Sequence, residues 1–271
     1  VGSIILGTVL GGVLISTTVS QSLLALDLPS MDTGIDTPAE SAIMIIMMIY
    51  VVAALINLKI PDTGARYVSQ KTNPIELIKD FAVCFKTLWD DRLGQISLAV
   101  TTLFWGAGAT LQFIVIKWAQ VALHMNLSQG AILQAISAFG VAGGAVWAAW
   151  KVPLKKSLTV LKYGVIMGAL VMLMSIFRKD LVPHIDINFG IFQIPLYLLI
   201  AYIFLMTIGW MSGYFVVPMN ALLQHRGHVL LSAGHSIAVQ NFNENLSVLL
   251  MLAAYSAMLA FELPLLYIMV L

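Results

Sequence analysis

The densest run of polar side chains in this chain sits where polarity is costly. In AVQNFNENLSVLLML, Ala238 to Leu252, the residues Gln240, Asn241, Asn243, Glu244 and Asn245 lead directly into an apolar segment. On a helix, Ser236, Gln240, Asn243, Glu244 and Ser247 share one face, while Phe242, Leu246, Leu249 and Leu250 take the other. The polar stripe therefore turns away from lipid. No Lys or Arg follows Arg226 to neutralise Glu244. An acid inside a membrane costs several kcal/mol unless it is protonated, paired or wetted, so a binding or transport role is the first expectation. A structural hydrogen-bond cluster near the mouth of a helical bundle is the alternative.

A second set lies in TTLFWGAGATLQF, where Thr101, Trp105, Gly108 and Gln112 fall on one helical face. Trp105 and Gln112 are expected to line a path through the bundle, or else Gln112 bonds a neighbouring helix. Gln134 with Ser137 and the run Trp210 to Tyr214 are weaker candidates. Covalent chemistry finds little support. Gly234-His235-Ser236-Ile237-Ala238 has the outline of a nucleophile elbow, but such an elbow needs a preceding strand in an α/β sheet and here it opens a membrane helix. The five histidines lack zinc-type spacing with a carboxylate or thiolate, Cys84 is the only cysteine, and there is no phosphate loop of the Walker type. The chain is read as a non-enzyme with no metal and no cofactor.

The elements that must position these residues are membrane spans. The 271 residues are 60% hydrophobic and 10% charged, with a mean hydropathy of +0.93, far from soluble composition. The 14 basic and 13 acidic residues nearly cancel, which excludes a nucleic-acid partner. Charge-free windows of the length needed to cross the hydrocarbon core predict helices at about 1–26, 41–58, 94–117, 128–150, 157–177, 191–217 and 232–260, with an eighth opening near Pro264. The fold class is all-α, a polytopic membrane bundle. Because the chain opens inside one apolar run and ends inside another, it is expected to be part of a longer protein.

Eleven of the 14 Lys and Arg fall in the segments 59–92, 151–162 and 225–228, read as loops, and three in the alternate ones, which places the first set in the cytoplasm. The long charged segment 59–92 divides the chain. Within it, Asn73, Pro74 and Glu76 form a helix-start signal, and a short helix to about Trp89 is expected. Its residues Ile78, Phe81, Ala82, Phe85, Leu88 and Trp89 suit either the membrane surface or the end of the bundle. Pairs of glycine four apart, Gly7 with Gly11, Gly140 with Gly144 and Gly209 with Gly213, predict close helix packing.

The blocks VVPMNALLQHRG (216–227), SAGHSIAVQNFNENLSVLLML (232–252) and TTLFWGAGATLQF (101–113) resemble the lysophospholipid transporter family of the major facilitator superfamily. The resemblance runs over the whole chain and implies spans five to eleven of twelve: 1–58 as the last two helices of the N-terminal bundle, 59–92 as the inter-bundle loop, and 93–271 as five helices of the C-terminal bundle with the start of a sixth. It implies a flippase that moves lysophospholipids, chiefly lysophosphatidylethanolamine, from the outer to the inner leaflet of a bacterial inner membrane, where an acyltransferase–acyl carrier protein synthetase re-acylates them. Asn220, Gln224, Arg226, Gln240, Asn241, Glu244 and Asn245 match family positions. The substrate-binding set is then Trp105, Gln112, Gln240, Asn241, Asn243 and Glu244, and Asn220, Gln224 and Arg226 belong to the cytoplasmic mouth or gate. The family carries an Arg where this chain has Gln112, so phosphate pairing does not transfer to that position. Two other readings make different demands: a proton-coupled drug or small-solute exporter of the same fold, using Glu244, and a membrane scaffold that recruits an enzyme through 59–92.

Overall fold

The computed structural model describes residues 37–61, 73–188 and 193–270, with Gly7, Leu10, Gly11, Val13, Leu14, Val19 and Gln21. Among these, six helical stretches are long and apolar enough to cross a membrane. The elements are α1 (Pro38–Asn57), α2 (Pro74–Asp90), α3 (Arg92–Leu123), α4 (Leu127–Lys151), α5 (Leu161–Ile176), α6 (Leu196–Leu230), α7 (Ala233–Ala260) and the short α8 (Leu265–Val270). A 3-10 segment, Leu154–Val160, runs into α5 and makes it long enough to span. The protein is a polytopic all-α membrane bundle. Among the described residues the departure from helix is a hairpin of three-residue strands, β1 (Asp186–Asn188) and β2 (Gln193–Pro195), which leads into α6.

Local signals explain where the helices begin. Thr37 and Glu40 exchange the two bonds of a capping box ahead of α1, and Asn126 and Gln129 do the same ahead of α4. The backbone N–H of Ile75 donates to the side chain of Asn73 at 3.1 Å, so the expected start of α2 is met. Asp91 caps α3 by accepting from the Gly94 N–H at 2.7 Å, and Ser232 caps α7 by accepting from the His235 N–H at 3.3 Å. At the other end of α3, His124 takes a left-handed conformation with φ of 55° and stops the helix.

Two expectations need correction. Residues 225–228 are not a loop but the last turns of α6, which continues through Pro218 thirteen residues beyond the predicted end at 217. Proline removes a donor yet is tolerated in membrane helices, where neighbours re-satisfy the freed carbonyl. Segment 151–162 is mostly the 3-10 run rather than a loop. The span expected at 1–26 lies mostly outside the described residues, and the described Gly7 and Gly11 have open space where a Cβ would stand.

α4 and α6 form the tightest pair. A Cβ on Gly140 or Gly144 would run into the backbone of Met206, Trp210 or Tyr214, and one on Gly209 or Gly213 into the carbonyls of Ser137 or Val141. Close backbone approach of this kind supplies dispersion contacts in a medium where no hydrophobic drive exists between helices. At one end of the bundle a cluster around Trp118, Leu123, Leu205 and Ile208 ties α3 to α6, α8 and the end of α5, with the Trp118 indole N–H donating to the Phe177 carbonyl at 3.3 Å. At the opposite, basic end Leu88, Leu98, Leu223 and Val239 join α2, α3, α6 and α7.

Candidate functional site

α3, α4 and α6 leave a cavity of about 350 Å³ between them, with Val248 of α7 at its wall. Its lining is apolar, from Phe104, Leu111, Val115, Val141, Leu205, Ile208 and Val216, and is broken by Trp105, Gln112, Gln134, Ser137 and Ser212. Among the described residues no charged side chain lines it. Both expected residues of α3 are here. The Trp105 ring meets Phe104 edge to face at 5.8 Å, and the Gln112 side chain is exposed while its backbone carbonyl accepts from Gln134 Nε2 at 2.8 Å. Gln112 is therefore bound to the neighbouring helix through its backbone and leaves its amide for the cavity.

The polar run of α7 divides as its spacing requires. Ser236, Gln240 and Ser247 are buried, Asn243 and Glu244 are half-buried, and Phe242, Leu246, Leu249 and Leu250 face outward. Gln240 Nε2 donates to Glu244 Oε1 at 2.8 Å and lies 3.5 Å from Asn220 Oδ1 of α6. Asn243 Nδ2 donates back to the Val239 carbonyl at 2.8 Å. Asn241 is exposed, off this face, and its carbonyl accepts from Asn245 Nδ2 at 2.7 Å. Among the described residues no cation pairs with Glu244.

The cavity and the polar cluster are two places rather than the single stripe expected from Gln112, Gln240, Asn243 and Glu244. α3 and α7 run parallel with Gly106 against Ser247. Gln112 is six residues beyond that contact and Glu244 three before it, which separates them by roughly 13 Å along the axis at 1.5 Å per residue. The two are nevertheless joined. Val216 and Val248 line the cavity, and each is four residues, about one turn, from Asn220 and Glu244 respectively. The polar cluster thus lies one turn toward the basic end, on the same faces of α6 and α7.

The residues assigned to the mouth also separate. Asn220 joins Gln240, and Gln224 is exposed. Arg226 grips Asp91 with two bonds, Nε to Oδ2 at 2.9 Å and Nη2 to Oδ1 at 2.5 Å. The same Asp91 oxygen that caps α3 accepts from Arg226, so one carboxylate fastens the start of α3 to the end of α6. The Arg226 guanidinium holds the Asp91 carboxyl below the usual aspartate range, with help from the helix N–H groups. Asp91 was not singled out in the sequence, although Asp91-Arg92-Leu93-Gly94 has the form of a cap. Gln134, Ser137 and Ser212 were weaker candidates and prove to line the cavity. Among the described residues no cluster of His, Cys, Asp and Glu could hold a metal ion.

Fold and site together define a multi-pass helical membrane protein with an internal amphipathic chamber. Two relatives place it further: the proteins called lysophospholipid transporter LplT in Yersinia pestis (strain Pestoides F) and in Yersinia pseudotuberculosis serotype O:3 (strain YPIII) are each 33% identical to it over 265 residues, 97% of this chain. The chain is similar to these two proteins and spans 56% of their length. No family model and no solved structure matches it.

Proposed function

We propose that the whole protein of which this chain is part is a secondary lysophospholipid flippase of the major facilitator type. In this reading 1–58 closes the N-terminal bundle, 59–92 links the halves, and 93–271 belongs to the C-terminal bundle. Substrate, chiefly lysophosphatidylethanolamine, moves from the outer to the inner leaflet of the bacterial inner membrane. The chain does no covalent chemistry itself and hands its cargo to an acyltransferase–acyl carrier protein synthetase. The observation that carries the proposal is the pairing of a charge-free apolar cavity with the cluster of Asn220, Gln240 and Glu244 one turn away. A single-chain lipid needs that division. Its tail asks only for apolar volume, whereas its headgroup needs hydrogen-bond partners at a fixed distance from it.

Glu244, with no cation paired to it among the described residues, also favours a second reading, a proton-coupled exporter, because a membrane acid without an ion pair is a natural proton carrier. Lysophosphatidylethanolamine uptake and re-acylation in spheroplasts with the full-length protein separates the two. With Glu244→Gln, uptake is expected to fall roughly tenfold or more, the worth of a charge-assisted hydrogen bond, while wild-type uptake survives an uncoupler. Uptake abolished by the uncoupler favours proton coupling, and no uptake above background removes the lysolipid reading.

A further inference from the structure

α2 has three faces, and only two are accounted for. Phe81, Cys84, Phe85 and Leu88 pack on the bundle, with Phe81 edge to face against Phe242 of α7 at 5.0 Å. Glu76, Asp80 and Thr87 lie together on a second, polar sector. The third sector carries Ile75, Ile78, Ala82 and Trp89, with Lys79 and Lys86 along its edge. Ile75 and Ile78 are 63% and 68% exposed, too much apolar surface to leave in water when an acidic face is available for that purpose.

The position of the helix decides what covers this sector. Only Asp91 separates the end of α2 from the start of α3, so α2 ends where a membrane span begins. The two cations border the apolar sector on its side toward the acids, Lys79 three residues after Glu76 and Lys86 four before Asp90, a position from which lysine stems lie along hydrocarbon while their ammonium groups reach headgroup phosphates. We propose that α2 lies in the membrane interface at the basic end of the bundle, with Ile75, Ile78, Ala82 and Trp89 immersed and Lys79 and Lys86 bound to anionic lipid. The acidic sector faces water. Each basic residue beside an anionic leaflet shifts such a balance about fivefold.

The test uses full-length protein, with Cys84→Ser, in phosphatidylcholine vesicles with and without phosphatidylglycerol. Nitroxides are attached through Ile78→Cys, Ala82→Cys, Glu76→Cys or Asp80→Cys in turn, and collisions with oxygen and with a water-soluble nickel chelate are compared. The oxygen-to-nickel ratio is expected to be several-fold higher at 78 and 82 than at 76 and 80. Lys79→Glu with Lys86→Glu, or the milder Lys79→Gln with Lys86→Gln, should lower it at 78 and 82 in anionic vesicles only. Equal nickel access at all four positions overturns the proposal. So does shielding of 78 and 82 from both reagents, which would mean that protein covers the face. Immersion indifferent to phosphatidylglycerol and to the lysine variants overturns the anionic-lipid assignment.

Discussion

Asp91 does two jobs with one side chain, and substitutions separate them. Asparagine is as good an N-cap as aspartate but cannot hold Arg226 as an ion pair. Asp91→Asn is therefore expected to cost about 1 kcal/mol or less, as for a partly exposed pair, and Asp91→Ala about 1 kcal/mol more through the lost cap. Thermal unfolding of the detergent-solubilised protein would show the order wild type, Asn, Ala. The pH dependence has a definite sign. Since the folded Asp91 titrates below its ordinary value, its contribution is complete above the unfolded value of about 3.9. It is lost as pH falls through the lower folded value. The gap between wild type and Asp91→Asn should be constant at neutral pH and close only in strong acid. A gap that closes at pH 6 would show that another group supplies it.

At the scale of elements, the α4–α6 contact makes a sharp contrast between glycines. Gly144 has the Trp210 carbonyl where a Cβ would stand, whereas Gly108, on the cavity wall, has nothing within 4 Å. Gly144→Ala should destabilise the bundle by about 1–3 kcal/mol through overpacking, and Gly108→Ala should leave the melting temperature almost unchanged. Equal melting shifts would show that α4 and α6 give way freely. This contact was legible in the sequence because four-residue glycine spacing states a packing rule directly, and the polar face of α7 was legible for the same geometric reason. The end of α6 was not. Pro218 and the polar residues between Asn220 and His228 look like an exit from the membrane, but the bonds of Asn220 to Gln240 and of Arg226 to Asp91, with Leu222 and Leu223 buried beside them, keep those turns packed. The hairpin before α6 left no signal either, since strands of three residues show no periodicity. The separation of Gln112 from Glu244 was hidden because spacing along one helix gives a face but not a depth relative to another.

For the whole molecule, the proposed division of labour between cavity and polar cluster makes a prediction about substrate shape. If the cavity holds the acyl tail, reducing its volume penalises long chains more than short ones, whereas damage to the cluster penalises every chain length alike. Ala138 lines the cavity on α4 beside Ser137. Ala138→Phe should consume a substantial part of the 350 Å³ without touching Asn220, Gln240 or Glu244. Uptake of a long-chain lysophosphatidylethanolamine should then fall well below that of a short-chain analogue, each relative to wild type. Glu244→Gln should reduce both in equal proportion. The melting temperature of the Ala138 variant serves as the control for misfolding. Equal loss of long and short substrates in that variant, with the fold intact, would mean that the tail travels outside this cavity, along the lipid-facing side of the bundle, and that the chamber between α3, α4 and α6 serves the motion of the helices and not the cargo.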